Sequence, residues 1–236
     1  MKRQASLPLS IFEMLYKNNK DPLAKAIGEL TGGALFFAMR SCEYSDTTGP
    51  EKKTKILTVG DIKFYRKGII TRNNRTKADT VKITFQTQKN GVKMQPILRS
   101  RGKESDILCP VRIWANIVDR ILSYKNTSEK SQVNTVEIKN RLHYINSDTV
   151  RKRIRTAVEL FGEKRLGFTA SDVGTHSIRT SFATMLNLEK EDPLTIQAQG
   201  RWKSAAFMDY IRRDVIVHGL TTKITAKSNR NIKKLK

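Results

Sequence analysis

Two short stretches near the C-terminal end constrain this chain more than any other feature. Thr175-His176-Ser177-Ile178-Arg179-Thr180 places an imidazole and a guanidinium three positions apart, on one face of a helix. Gly200-Arg201-Trp202-Lys203-Ser204 follows, with Trp202 standing 23 residues after Arg179. Tyr210 lies eight residues beyond Trp202, in Phe207-Met208-Asp209-Tyr210-Ile211-Arg212. The periodicity around them predicts three or more short helices, over about 175–188, 193–199 and 204–213. A guanidinium, an imidazole, an indole N–H and a phenol brought together can hold a phosphate by charge and donors. The phenol oxygen can then attack it without a metal.

The charge balance says which phosphate. Lys and Arg total 45 against 22 for Asp and Glu, a net charge of +23 on 236 residues. Self-repulsion of that size calls for a polyanion, with DNA or RNA ahead of an acidic membrane surface. The basic residues are spread along the whole chain, as in a protein that wraps a duplex; the plainer reading is an ordinary basic protein of the ribosomal kind. The length suits one or two domains with a real core. Cys42 and Cys109 sit in apolar helical patterns, which suggests buried free thiols rather than a disulfide. His143, His176 and His218 form no metal-ligand cluster with them, so no metal and no cofactor is expected. No apolar run is long enough to span a bilayer, and Met1-Lys2-Arg3-Gln4 is not followed by a signal-peptide core. The expectation is an intracellular protein acting on DNA, nuclear if its host is eukaryotic.

Along the chain, Asp21-Pro22 reads as an N-cap and first helical residue. Leu23, Ile27, Leu30, Ala34, Phe37 and Ala38 continue at helical spacing to about Cys42. Gly32-Gly33 inside that helix suggests close approach of another backbone. Ile56-Leu57-Thr58-Val59 and Thr80-Val81-Lys82-Ile83-Thr84-Phe85 are short and β-branched, with Gly60, Gly68 and Asn90-Gly91 as turn signals. They predict a small antiparallel sheet of about three strands. Pro110 opens a helix burying Val111, Trp114, Ala115, Val118 and Ile121, and 123–134 reads as a polar loop. A helix over about 148–163 buries Val150, Ile154, Val158 and Phe161. Its other face carries Arg151, Lys152, Arg153 and Arg155 without interleaved acids, which favours a DNA-facing surface over a merely solvated one. Residues 225–236 read as a basic, apolar-poor tail.

With these residues in place, the chain resembles the catalytic region of the tyrosine recombinases, the phage-integrase-type enzymes that cut and rejoin DNA. That family carries a first arginine in an Arg-x-x-Glu setting, matched by Ala38-Met39-Arg40-Ser41-Cys42-Glu43, and a lysine on a β-hairpin, matched by Lys89 in Gln86-Thr87-Gln88-Lys89-Asn90-Gly91. His176, Arg179, Trp202 and Tyr210 complete the set in the family's order. Leu166-Gly167-Phe168-Thr169-Ala170, Gly174-Thr175-His176 and Gly200-Arg201-Trp202 look like the Crypton and DIRS-like recombinases of eukaryotic mobile elements.

The resemblance implies a mixed, mainly helical catalytic core with a small antiparallel sheet on one edge, occupying residues 21–213. It would be preceded by a segment, 1–20, that is a remnant or linker, and followed by an amphipathic segment and basic tail, 214–236. It implies site-specific cleavage and rejoining of double-stranded DNA through a 3′-phosphotyrosyl intermediate, in which bond energy is conserved. Arg40 and Arg179 would grip the non-bridging oxygens. His176 would donate to the phosphate or manage the nucleophile's proton, and Trp202 would offer its indole N–H. Lys89 would protonate the leaving 5′ oxygen, although Lys82 and Lys93 flank it. Tyr210 would be the nucleophile and Glu43 a structural partner. The Trp-to-Tyr spacing is one residue shorter than in many bacterial and phage members. A full recombinase also carries an N-terminal helical clamp, and only about 20 residues precede the first helix predicted here. Residues from about Asp214 onward would pack in trans, making the chain a monomer in isolation and a multimer on DNA. Two rivals are a catalytically inactive, domesticated DNA-binding protein of the same fold and a type IB topoisomerase.

Overall fold

Asp21 caps the helix that organises the molecule. In the computed structural model, which describes residues 4–18, 20–47, 54–88, 91–204 and 207–208, helix α1 spans Leu9–Lys17 and helix α2 spans Pro22–Phe36. The Asp21 carboxylate accepts from the Ala24 N–H at 2.7 Å, and Pro22 supplies the pre-set first turn. Residues 26–35 of α2 are all buried, as befits a helix that is apolar nearly all round.

Glycines let its neighbours close in. A Cβ at Gly28 would stand 2.2 Å from the Leu15 carbonyl oxygen of α1, so the backbone approach falls at Gly28. At Gly33 the neighbour is a side chain: a Cβ would stand 2.9 Å from the Trp114 indole, whose Nε1 donates to the Gly33 carbonyl at 3.3 Å. Trp114 belongs to helix α4, Pro110–Leu122, and Val111, Ala115, Val118 and Ile121 are buried beside it, as the spacing predicts.

The sequence carries α2 on to Cys42, but the helix stops at Phe36. Ala38 adopts φ 45°, the Ala38 N–H donates to Leu35 and the Met39 N–H to Ala34, which is a Schellman ending. An alanine in the left-handed position gives no glycine-like stop signal, so the apolar spacing of Phe37 and Ala38 reads as more helix. A one-turn helix α3, Ser41–Tyr44, follows.

Strands β1 (Ile62–Arg66), β2 (Ile69–Thr71), β3 (Thr80–Thr87) and β4 (Lys93–Ser100) form an antiparallel sheet in the order β2-β1-β3-β4, one strand more than expected. Phe64, Val81, Ile83 and Phe85 are buried on one face, and α4 packs against β3 and β4. The β-branched run 56–59 is not a strand. Its backbone is shared out: Leu57 N–H bonds Glu43, Leu57 carbonyl bonds Val133, and Val59 N–H bonds Ser131. Gly91, at φ 82°, closes the β3–β4 hairpin, with the Gln88 N–H donating to the Val92 carbonyl at 3.1 Å. A second hairpin, β5 (Thr135–Ile138) with β6 (Arg141–Tyr144), has no counterpart in the sequence analysis. Its turn residues Lys139 and Asn140 take φ 49° and 60°, a two-residue hairpin turn made without glycine.

Helix α5, Ser147–Phe161, buries Val150, Ile154 and Val158. The short α6, Glu163–Leu166, leads to α7, Ser177–Leu188, and α8, Pro193–Gln199. The residues before Asp21, where no helix is predicted, contain α1. Leu7, Ile11, Phe12 and Leu15 lie in the main core, and the Leu7 N–H donates to Ser181 Oγ of α7 at 2.7 Å. Both cysteines are free, Cys109 buried and Cys42 half-buried.

Candidate active site

The end of α2 leaves backbone carbonyls without intrahelical donors, at the negative end of the helix dipole. Three arginines, distant in sequence, converge there. Arg99 of β4 donates from Nε to the Phe36 carbonyl at 2.7 Å, Arg201 from Nη2 to the Phe37 carbonyl at 3.1 Å, and Arg179 of α7 from Nη1 to the Ala38 carbonyl. Arg99 also lies over the Phe37 and Phe182 rings, at 5.5 and 5.8 Å from their centroids. Burial, and then the charge of Arg201, lowers its pKa to about 10.

Arg40 enters immediately after this helix ending. It is the residue before α3, and its side chain is 21% exposed. Glu43 folds back on it: Oε2 accepts from the Arg40 N–H at 2.8 Å and Oε1 from Arg40 Nη1 at 3.2 Å. Arg201 takes both oxygens from the other side, Nη1 to Oε1 at 3.0 Å and Nη2 to Oε2 at 2.9 Å. Burial alone would push the Glu43 carboxyl up. The Arg201 charge and hydrogen bonds, then those of Arg40, outweigh it and hold the pKa below the ordinary value.

His176 and Arg179 come from the start of α7, with His176 just before its first turn. The Arg179 residue is only 2% exposed, and its Nη2 donates to the Gly200 carbonyl at 3.0 Å. Beneath it lies the Trp202 ring, 4.6 Å from the guanidinium carbon to the ring centroid, itself packed on Phe182 and Phe207. Gly200 is a requirement of this packing, because a Cβ there would fall 1.5 Å from Trp202 Cζ3. His176 keeps an exposed surface. The packing around it, then the charges of Arg179 and Arg40, pull its pKa down, which favours the neutral imidazole.

Four of the predicted residues, Arg40, His176, Arg179 and Trp202, thus meet beside the end of α2, with Glu43 beneath. Lys89 and Tyr210 lie outside the described residues, as does the segment from Asp214 onward. The basic stripe of α5 is less free of acids than its sequence suggests: Arg151 pairs with Asp148 at 3.1 Å and Arg153 with Asp21 at 3.6 Å. Arg155 Nε donates to the Val173 carbonyl at 3.1 Å, and Lys152 is exposed. The two ion pairs are surface pairs, too weak to fix these side chains against another partner. A groove of about 650 Å³ between α1 and α5, lined by Met14, Leu15, Arg153 and Leu160 among others, contains none of the clustered residues. Among the described residues no group of three or more His, Cys, Asp or Glu could hold a metal ion, and no helix is long and apolar enough to cross a membrane.

Sequence reasoning missed Arg99, Gln88 and Arg201. The signal for Arg201 was faint: an arginine between Gly200 and Trp202. Its φ of 59° is a left-handed conformation that costs a non-glycine residue about 1–3 kcal/mol.

No family model matches the chain, and no curated protein matches it. Solved structures do. The chain is similar to XerH site-specific recombinase bound to its difH substrate in a pre-cleavage complex, with TM-score 0.53 and 13% identity over 97% of this chain and 54% of that one. It is similar to XerA recombinase, with TM-score 0.52 and 15% identity over 98% of this chain and 65% of that one. For the Tn1549 transposon integrase in complex with circular intermediate DNA, the TM-score is 0.50 at 10% identity, over 97% and 66%. The chain therefore spans between half and two-thirds of these three proteins. At such identities the likeness is one of fold: the mixed, mainly helical fold with a small antiparallel sheet is that of tyrosine-recombinase catalytic domains.

Proposed function

We propose that this chain cleaves and rejoins double-stranded DNA at specific sites through a covalent 3′-phosphotyrosyl intermediate. The single observation that carries the reading is the meeting of Arg40, His176, Arg179 and Trp202 beside the end of α2, in a chain of net charge +23. A scissile phosphate set against them would meet the partly exposed Arg40 fork and the buried charge of Arg179 behind it. Charge held ready in a poorly solvated site stabilises the extra negative charge of a five-coordinate phosphorus. His176, neutral near pH 7, accepts the Tyr210 phenol proton as the oxygen attacks. The phosphorus–O5′ bond breaks as the phosphorus–phenol bond forms, and Lys89 gives its proton to the leaving oxygen. Reversal by a new 5′ hydroxyl rejoins the strand without any energy source. Trp202 offers its indole N–H and supports Arg179 from below.

Under this reading the DNA partner also meets the α5 residues Arg151, Lys152, Arg153 and Arg155. The chain acts as a multimer on DNA, in the nucleus if its host is eukaryotic, and the Crypton and DIRS-like recombinases are its subgroup. Covalent capture tests the central step: a pool of nicked duplexes, in which a cut strand loses the short downstream piece that carries the new 5′ hydroxyl and cannot be resealed, should yield a protein–DNA adduct.

One observation favours a second reading. Arg179 is deeply buried and gives hydrogen bonds to two backbone carbonyls, which is how a purely structural arginine behaves. A chain that binds duplex DNA and never forms an adduct would be the inactive DNA-binding protein.

A further inference from the structure

Arg201 has a fully buried side chain, and its guanidinium bonds to Glu43, Gln88 and the Phe37 and Ala38 carbonyls at the edge of the candidate site. Its Nη1 reaches Glu43 Oε1 and Gln88 Oε1, both at 3.0 Å, and its Nη2 reaches Glu43 Oε2 and the Phe37 carbonyl. Its guanidinium carbon lies 3.6 Å from the centroid of the Phe85 ring of β3. Each oxygen of Glu43 is shared between Arg201 and Arg40, so the carboxylate is held in one orientation from both sides. Gln88 is tied in turn to Gln95 across the hairpin at 2.6 Å, and it directly precedes Lys89 in the chain.

We propose that Arg201 is a positioning residue: by holding Glu43 and Gln88 at once, it fixes Arg40 and the end of the β3–β4 hairpin relative to each other. The inference rests on the strand-cleavage reading above, because there Arg40 grips the non-bridging oxygens of the phosphate and Lys89, next in the chain after Gln88, protonates its leaving oxygen. Stability alone does not call for this arrangement. A buried ion pair can usually be replaced by apolar residues of similar size without loss, whereas removing one partner is costly. What an apolar pair cannot do is orient the Arg40 backbone and fork while gripping an amide on another element. The left-handed backbone of Arg201 fits the same view, since strained conformations persist where the surroundings over-determine them.

The test uses the full chain, with Arg201→Lys and the paired variant Glu43→Leu/Arg201→Met. Lysine keeps the buried cation but cannot span two carboxylate oxygens and Gln88 as a fork does. Thermal unfolding, binding to a random-sequence duplex, amide hydrogen exchange, and the rate of adduct formation on saturating nicked duplexes are measured for each. Arg201→Lys should stay folded and bind duplex as wild type does. Exchange should quicken at the Arg40, Gln88 and Gly91 amides but not in α4, and the adduct rate should fall about 100-fold. The paired variant should unfold at a thermal midpoint close to that of wild type and remain slow. Wild-type exchange and rate in Arg201→Lys, or recovery of both midpoint and rate in the paired variant, would overturn the inference in favour of a packing role. If the wild-type chain itself forms no adduct, the cleavage reading fails, and the exchange of Arg201→Lys alone decides whether Arg201 holds the two elements.

Discussion

The Arg179 guanidinium sits 4.6 Å from the centre of the Trp202 ring, so the two residues that begin and end the 23-residue interval between the motifs are stacked on each other. Trp202 is thereby both a packing residue and a candidate donor, and substitution separates the roles. Trp202→Phe keeps a ring under Arg179 and loses the N–H, whereas Trp202→His keeps an N–H with a smaller ring. We expect Trp202→His to retain more cleavage at equal DNA occupancy, and Trp202→Phe to retain more stability in urea. The reverse ranking in cleavage would assign Trp202 to packing alone. Gly200→Ala should displace the indole, seen as a change in tryptophan fluorescence, and lower cleavage with it.

The two arginines should respond differently to removal. Arg40→Ala takes away a partly exposed fork, and we expect a loss of about 10²–10³ in cleavage rate with little change in stability. Affinity should hardly move, since one phosphate contact among many is a small share of binding. Arg179→Ala also takes a donor from the buried Gly200 carbonyl, at about 1–3 kcal/mol if it is left unpaired, while the Ala38 carbonyl keeps Arg201 Nη2 at 3.4 Å. Urea unfolding and filter binding, run beside the cleavage assay, check both. Equal losses in binding and rate would reduce either arginine to a DNA-holding contact.

His176 gives a pH prediction. Its folded-state pKa lies below the ordinary 6.5, so the unfolded chain binds its proton more readily. By linkage, stability must fall as pH drops from about 6.5 through the lower folded value, and it is unaffected by this group above that window. His176→Gln should flatten that part of the stability curve. In cleavage, the rate should fall over the same acid range as the neutral imidazole is lost, and a profile unchanged by the substitution would remove His176 from proton transfer.

The sequence displayed the parts of this molecule that rest on local rules. Asp21-Pro22 and Pro193 announce helix starts, Asn90-Gly91 a hairpin, and the apolar spacing of α4 its buried face. It hid what depends on the assembled fold. Ala38 ends α2 in a conformation that alanine seldom takes, and Lys139-Asn140 turns a hairpin without glycine. The run 56–59 has strand-like composition, but its hydrogen bonds go to Glu43, Ser131 and Val133, residues that only tertiary structure brings near. At the site, His176 and Arg179 were visible through their spacing. Arg201 was not, because a buried guanidinium is defined by partners at positions 37, 43 and 88 and by nothing in its own neighbourhood.

Lys89 carries its own prediction. Lys89→Ala should lose cleavage on an ordinary duplex and recover it on one whose 5′ leaving atom is sulfur, because a thiolate needs little protonation to depart. Strand cleavage on matched oxygen and sulfur substrates measures this. Rescue of Lys82→Ala or Lys93→Ala instead would move the general acid to that neighbour.

The central claim is a covalent bond between Tyr210 and DNA, and denaturing electrophoresis of the chain with the nicked duplex pool tests it most directly. Wild type should give a protein band shifted by covalently attached DNA and sensitive to nuclease. Peptide mapping should place the attachment on Tyr210, and Tyr210→Phe should bind the same duplexes and give no such band. Duplex binding by wild type without any adduct, or an adduct that persists in Tyr210→Phe, would contradict the account.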